Sequence, residues 1–159
     1  MIYEVFIDNK QLYYPGDEKL VIYNSKLEQA LNDAGTFEFT ITKNNPLYDE
    51  IYPRVSSVRI PKNDTEIFFG QVRTSEEVLE GEKDVSCVGE LSFLYDSIQP
   101  QKRYQDYTPQ QFFNELVTNH NNQVEDDKKF RPGKVTVTDP NDSLYRFTNF
   151  EDTLTDIRD

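Results

Sequence analysis

The sequence predicts a mainly β protein with an α+β continuation: a curved antiparallel β-barrel domain over residues 1–97, followed by the start of a small α/β domain over 98–159. Three observations predict it. Apolar and polar residues alternate at period two along most of the first 97 residues, and the period changes to that of a helix after Pro100. Single glycines, Gly70 and Gly89, interrupt the two longest strand candidates. An isolated glycine in a strand marks a bulge or a close backbone approach, as where a sheet curls into a barrel.

The elements follow in order. YEVFI places Tyr3, Val5 and Ile7 on one parity, and the polar DNK after it reads as a tight turn into QLYY. Residues 26–31 and 36–43 are expected to pair as a hairpin around Asn32, Asp33 and Gly35. The second of these, TFEFTITK, carries the clearest alternation, with Phe37, Phe39 and Ile41 against Glu38, Thr40 and Thr42. NNPLYDEIYP reads as a short helical turn with Pro46 near its start, ending before Pro53. VSSVRI is expected to be a strand covered on both sides, with Val58 and Ile60 as its apolar residues. EIFFGQVRTSEEVL and KDVSCVGELSF form the long hairpin, joined by EGEK. In its second arm Val85, Cys87, Leu91 and Phe93 share one parity, which puts Cys87 on the buried face.

After Pro100, TPQQFFNELVTNHNN has Thr108 as N-cap, Pro109 at the first helical position and Gln111 three residues after the cap, a capping-box start. Phe113, Leu116, Val117 and His120 then fall on one face. GKVTVTDPNDSLYRF predicts a strand through Val135 and Val137, a DPND turn, and a second strand through Tyr145 and Phe147. A last helix is expected from about residue 150, with a cap signal at Thr148 or Asn149, acids at Glu151 and Asp152, and anchors at Leu154 and Ile157. The order helix, strand, strand, helix suggests an α+β unit. Without a stop signal for that last helix, the chain is expected to be the N-terminal fragment of a longer protein.

Composition bounds the function. The 159 residues hold 17 Lys and Arg against 29 Asp and Glu, a net charge of −12, with a sequence pI near 4.5. Ten Tyr and eleven Phe supply the aromatic mass that a disordered acidic chain lacks. The charge disfavours phosphate-backbone binding, which depends on Lys and Arg, and disfavours an anionic membrane surface. Cys87 is the single cysteine, so neither an internal disulfide nor a thiolate zinc cluster is open to the chain. MIYEVFIDNK has acids at Glu4 and Asp8 and no long apolar run, unlike a signal peptide, and no stretch is apolar enough for a membrane helix.

Catalytic signals are sparse. His120 is the lone histidine and reads as a helix-end residue rather than a base or ligand. Cys87, among strand neighbours on an apolar face, reads as core rather than nucleophile. Asp139, Asn141 and Ser143 resemble the opening of a calcium loop, but Leu144 stands where that loop needs glycine and Phe150 where it needs a bidentate Glu, so a plain turn is favoured. Glu76, Glu77, Glu80 and Glu82 crowd a hairpin end beside Gly81 and read as a solvated tip, not as a catalytic carboxylate pair. Asn63 and Asn141 each head a glycosylation sequon, which carries weight only in a secreted protein. The sequence therefore assigns no catalytic residue, no cofactor site and no metal site, and no enzyme activity is expected of this chain.

The ordered run KLEQALNDAGTFEFTITKNNPLYDEIYPRVSSVRI, EIFFGQVRTSEEVLEGEKDVSCVGELSFLYDS, YTPQQFFNELVTNHN and TNFEDTLTDIRD resembles the N-terminal region of phage minor structural proteins. These are the tail-associated, prophage endopeptidase tail or baseplate-hub-like proteins of phages and prophages of Gram-positive bacteria. The resemblance implies a hub β-barrel domain followed by a smaller α/β domain, and a structural tail-tip role linking the tail tube to adsorption or penetration parts. It further implies a homotrimer of the full-length protein in contact with other tail proteins, DNA only as passing cargo, no membrane binding, and assembly in the host cytoplasm into the virion tail tip. Two other readings stay open: the N-terminal part of a cell-wall-degrading tail enzyme, and a carbohydrate-binding β module.

Overall fold

The computed structural model describes residues 3–63, 65–141, 143–148 and 152–153. They form two compact units that divide after Leu91. The first is a seven-stranded, wholly antiparallel sheet that curls into a half-barrel, as the alternation and the two glycines predict. Its strands are β1 (Val5–Ile7), β2 (Lys10–Tyr13), β3 (Tyr23–Glu28), β4 (Thr36–Thr42), β5 (Ser57–Lys62), β6 (Thr65–Leu79) and β7 (Glu82–Gly89), in the spatial order β2-β1-β5-β6-β7-β4-β3.

Turn chemistry sets the register. Asp8 and Asn9, at φ 47° and 64°, close β1 onto β2 through the two left-handed positions of a mirror-image turn that matches strand twist. Gly81, at φ 86°, turns β6 into β7. β4 is the spine of the sheet, with Phe37, Phe39 and Ile41 buried and Glu38 exposed between them. The Phe37 ring packs on Phe39 and Phe68 at centroid distances of 5.3 and 6.1 Å, and Val58, Ile60, Val72, Val85 and Cys87 complete the inner face.

Curvature has a visible origin. Gly70 on β6 faces Gly89 on β7. A Cβ on Gly70 would stand 2.2 Å from the Val88 carbonyl oxygen, and one on Gly89 would stand 1.8 Å from that of Ala34. Register shifts in β5 at Ile60/Pro61 and in β6 at Val72/Thr74 and Glu77/Leu79 add local twist. Buried Asn45 braces the two ends of the sheet order: its Nδ2 donates to the carbonyls of Leu12 (2.9 Å) and Val21 (3.2 Å), while its Oδ1 accepts from the Leu47 amide (3.0 Å).

Several expectations are corrected here. β5 is covered on one side only, because Val58 and Ile60, two residues apart, both point inward while Arg59 is exposed. The strand expected to reach Phe93 ends at Gly89 and passes into a 3-10 segment, Glu90–Asp96. The first arm of the early hairpin is Tyr23–Glu28 rather than 26–31, and Leu31 is solvent-exposed in the connecting loop.

The second unit holds β8 (Lys102–Tyr107), the helix α1 (Pro109–Asn121) and β9 (Leu144–Thr148), with β8 and β9 antiparallel. Thr108 caps α1 as the capping box predicts: its Oγ1 accepts from the Gln111 amide (3.1 Å), and the Gln111 carboxamide accepts from the Thr108 amide (2.9 Å). The buried stripe differs from expectation. Leu116, Val117 and His120 are buried, but Phe113 is exposed and Phe112 turns inward, its ring edge-on to Tyr104 at 4.8 Å. No strand forms through Val135 and Val137; instead the Val135 amide donates to the Gln110 side chain (3.1 Å), and Val137 is exposed. β8, absent from the expected order, supplies the partner of β9. Thr148 ends β9, paired with Lys102, and Thr153 forms an antiparallel bridge with Ile98. The rest of the expected final helix, at Asn149, Glu151, Leu154 and Ile157, lies outside the described residues. No described helix is long and apolar enough to cross a membrane.

Candidate functional site

The arrangement nearest to catalytic geometry lies in the second unit. His120, in the last turn of α1, has Nδ1 2.7 Å from the Ser97 hydroxyl and Nε2 3.1 Å from the Lys128 carbonyl oxygen. A carbonyl can only accept, so Nε2 carries the hydrogen on that side. Three features separate this pair from a nucleophile and base. His120 is 0% and Ser97 2% exposed, no carboxylate among the described residues orients the ring, and Phe130 packs against the imidazole at 5.4 Å. A hydroxyl with no open approach has no room for a substrate carbonyl. The histidine holds α1 to the segments on either side of it. The sequence located His120 but not Ser97, 23 residues away, because only the tertiary fold brings them together.

The second unit also holds a buried polar group of another kind. Tyr104 is fully buried on β8, and its hydroxyl has no hydrogen-bond partner among the described residues. The neighbouring Thr148 hydroxyl donates to the Pro100 carbonyl at 2.6 Å, which leaves its oxygen as an acceptor only. Burial raises the Tyr104 phenol above its ordinary pKa, with the Glu115 carboxylate adding to the effect and the nearness of Thr148 acting to lower it.

In the first unit, Cys87 lies on the inner face of β7 without exposure, and burial pushes its thiol up to about 12. The thiolate that a nucleophile requires is therefore not formed at neutral pH. Glu76, Glu77 and Glu80 are exposed on the β6–β7 arm and Glu82 is half-buried. Glu77 is engaged by the Tyr48 hydroxyl (3.4 Å) and the Gly81 amide (3.3 Å). Glu76 stands opposite Asp84, whose Oδ1 accepts from Thr40 Oγ1 at 2.7 Å. With Glu38 they line a shallow polar cleft of about 390 Å³ on the outer face of the sheet. No three His, Cys, Asp or Glu side chains among the described residues are arranged to hold a metal ion.

The DPNDS segment is a self-satisfied turn. Asp139 accepts from the amides of Asn141 (3.1 Å) and Ser143 (2.8 Å) and from the Ser143 hydroxyl (3.2 Å), and these bonds, the Asn141 amide first, hold its carboxyl below the usual range. Asn63 and Asn141 are both exposed. One cleft lies inside the half-barrel, about 400 Å³, lined by Tyr3, Val5, Tyr13, Pro15, Ile22, Ser25, Leu27, Phe37 and Ile60, where β2 and β3 approach across the curled sheet. None of these side chains is charged, so the cleft offers apolar contact and a few hydroxyls but no acid, base or ion-binding group.

No family model matches the chain, and no curated protein sequence matches it. Among solved structures, the 43 kDa tail protein of prophage MuSo2 from Shewanella oneidensis is similar, with a TM-score of 0.47 and 13% identity over 73% of this chain. The chain spans 37% of that protein's length.

Proposed function

We propose that the chain is a structural component of a phage tail tip, similar to a baseplate hub, which joins the tail tube to adsorption or penetration parts. The observation that carries this reading is the curled antiparallel half-barrel formed by the segments whose order resembles the N-terminal region of phage minor structural proteins. In this reading residues 1–97 are the hub barrel domain and 98–159 begin the next domain. The full-length protein is a homotrimer in contact with other tail proteins of a Gram-positive phage or prophage, and DNA passes it as cargo. The −12 charge then lines a passage that repels phosphates. The role is not enzymatic in this chain, consistent with a Ser97–His120 pair closed to solvent and a Cys87 held as thiol.

Light scattering on this chain and on the full-length product tests the reading. A trimeric full-length protein beside a monomeric or weakly associating 159-residue chain is the expected result. A full-length protein that stays monomeric at micromolar concentration overturns it. Release of soluble fragments from Gram-positive cell walls by the purified chain overturns the non-enzymatic part.

A further inference from the structure

Most cations of the first unit are engaged. Lys10, Lys26, Arg59 and Lys83 each meet a carboxylate, and Lys43 and Lys62 lie over the rings of Tyr48 and Tyr3. Among the described residues of the first unit, Lys19, Arg54 and Arg73 make no ion pair and no ring contact, and the fold sets the two arginines side by side. The Arg54 amide donates to the Val72 carbonyl at 2.7 Å, one residue from Arg73, and the Gln71 side chain donates to the Arg54 carbonyl at 3.0 Å. Both arginines are exposed.

The backbone holds them outward. Arg54 sits at φ 63°, a conformation that a residue with a Cβ adopts only when its surroundings impose it. Here the turn is locked by the Tyr52 amide on Ser56 Oγ (3.1 Å), the Ser56 amide on the Tyr52 carbonyl (2.9 Å) and the Val72 amide on the Ser56 carbonyl (2.9 Å). Arg73 is the extra residue of the β6 register shift between Val72 and Thr74, the kind of bulge that re-aims a side chain. Two large apolar residues accompany them, Tyr52 at 56% and Val55 at 72% exposure. The carboxylates of this region are occupied: Glu50 by Lys10, Asp49 by Lys83, and Asp8 by the Ser57 amide and hydroxyl. An exposed Tyr with two uncompensated Arg is the composition of a contact hot spot, and in a chain of net charge −12 it is an island of opposite sign.

The chain carries the complement of this patch. At the end of the β6–β7 arm Glu80 is exposed, with Val78 at 56% and Leu79 at 66% exposure, and Glu76 is exposed further back on the same arm, opposite Asp84. Two carboxylates and two aliphatic side chains on one hairpin arm answer two guanidiniums and an apolar pair. Along the same extended strand Arg73 stands about 10 Å from Glu76 and about 20 Å from Leu79, and among the described residues it forms no ion pair, so the tip of one copy does not reach its own patch. We infer that the Arg54–Arg73 patch of one copy receives the acidic β6–β7 tip of a second copy. The contact is heterologous, so it propagates head to tail and closes only where the rotation between copies allows a ring. The inference rests on the proposed self-assembly and names its surface.

The test is sedimentation of the 159-residue chain over a concentration series in 50 and 500 mM salt. Wild type is expected to self-associate weakly at the lower salt, with an association constant at least tenfold smaller at the higher one, where exposed charges are screened within a few ångströms. Arg54→Glu with Arg73→Glu, and separately Glu76→Lys with Glu80→Lys, are each expected to lose association at least tenfold while keeping the wild-type circular dichroism. An equimolar mixture of the two variants regains it, because each supplies the charge the other has lost. Arg73→Glu alone, which leaves the turn at Arg54 intact, serves as the second variant and is expected to weaken association as well. A wild-type chain that stays monomeric at 50 mM salt, variants that associate like wild type, or a mixture that fails to recover overturns the inference. A full-length protein that remains trimeric with both arginines reversed removes this contact but leaves the assembly reading standing; a monomeric full-length wild type removes the assembly reading itself.

Discussion

Replacing Gly89 by alanine tests the origin of the sheet's curvature with a single methyl group. The glycine ends β7 opposite Gly70, and its amide donates to the Gly35 carbonyl at 3.0 Å. A Cβ here would stand 1.8 Å from the Ala34 carbonyl oxygen and 2.9 Å from its carbon. Carbon and oxygen approach no closer than about 3.3 Å without strain, so either β7 or the loop before β4 must retreat by roughly 1.5 Å. The obstacle is backbone, and no change of rotamer relieves it. Retreat breaks the Gly89–Gly35 bond, about 1 kcal/mol, and overpacks the seam beside Phe68, a further 1–3 kcal/mol, for a total of about 2–4 kcal/mol. With a urea m-value of about 2 kcal/mol per molar, the midpoint should fall by about 1–2 M. Urea unfolding followed by tyrosine fluorescence, with hydrogen exchange reporting the first unit separately, is the assay. Gly133, whose added Cβ meets nothing within 4 Å at no positive φ, is the control; its alanine variant should be neutral or stabilised by about 0.4–1 kcal/mol. A loss below about 1 kcal/mol for Gly89→Ala, no more than one hydrogen bond, would refute the close approach.

Three further outcomes are expected. Tyr104→Phe removes a buried hydroxyl without a hydrogen-bond partner, so the melting temperature should hold or rise, by up to about 1–2 kcal/mol in stability, and a loss would show that the hydroxyl is bonded after all. His120→Ala strips partners from Ser97 and the Lys128 carbonyl and opens a cavity beside Phe130; calorimetry should register a loss of about 2–4 kcal/mol. Cys87 gives a pH signature. Its thiol is raised from the ordinary 9.0 to about 12 in the fold, so above pH 9 the unfolded chain releases a proton that the folded chain retains. The corresponding stability is whole below pH 9 and drains away as pH climbs toward 12, at up to about 1.4 kcal/mol per pH unit. The difference in urea midpoint between wild type and Cys87→Ala, measured from pH 8 to 11, should therefore shrink with rising pH; a constant difference would mean the thiol titrates normally.

Legibility in the sequence followed the range of the forces involved. β4 and the capping box of α1 were readable because their determinants are local: Phe37, Phe39 and Ile41 alternate on one face, and Thr108 and Gln111 are three residues apart. β8 was not readable, since KRYQDY has only Tyr104 and Tyr107 as large apolar residues, Asp106 sits at φ 58°, and the strand exists by pairing with β9 some 40 residues later. Val135 and Val137 show the converse, β-branched alternation with no strand to pair with, tethered by one side chain of α1. Which of Phe112 and Phe113 turns inward was settled by the Tyr104 ring, and helical periodicity alone does not contain that information. The Ser97–His120 pair was hidden for the same reason. Chemistry-bearing residues brought together by tertiary structure leave no trace in spacing.

The edges of the half-barrel bear on how copies of this chain meet. An exposed sheet edge is a template for strand addition, and proteins blunt it with short strands, charges and bulges. β2 is four residues long and starts at Lys10, which is held by Glu50. β3 shifts register between Tyr23 and Lys26, places Asn24 at φ 49°, and carries the Lys26–Glu28 pair at 2.7 Å. Asn45 further ties the chain at Leu12 to that at Val21, closing one end of the seam. Both edges thus resist a visiting strand, which under the proposed self-association leaves side chains on the sheet's outer surface to make the contact. There the acids of the β6–β7 tip repel every other acidic patch, and Arg54 with Arg73 is the unengaged cationic pair that the fold holds together. Under the proposed self-association, the charge imbalance that disfavours most contacts between copies favours the one that joins these arginines to the acidic arm.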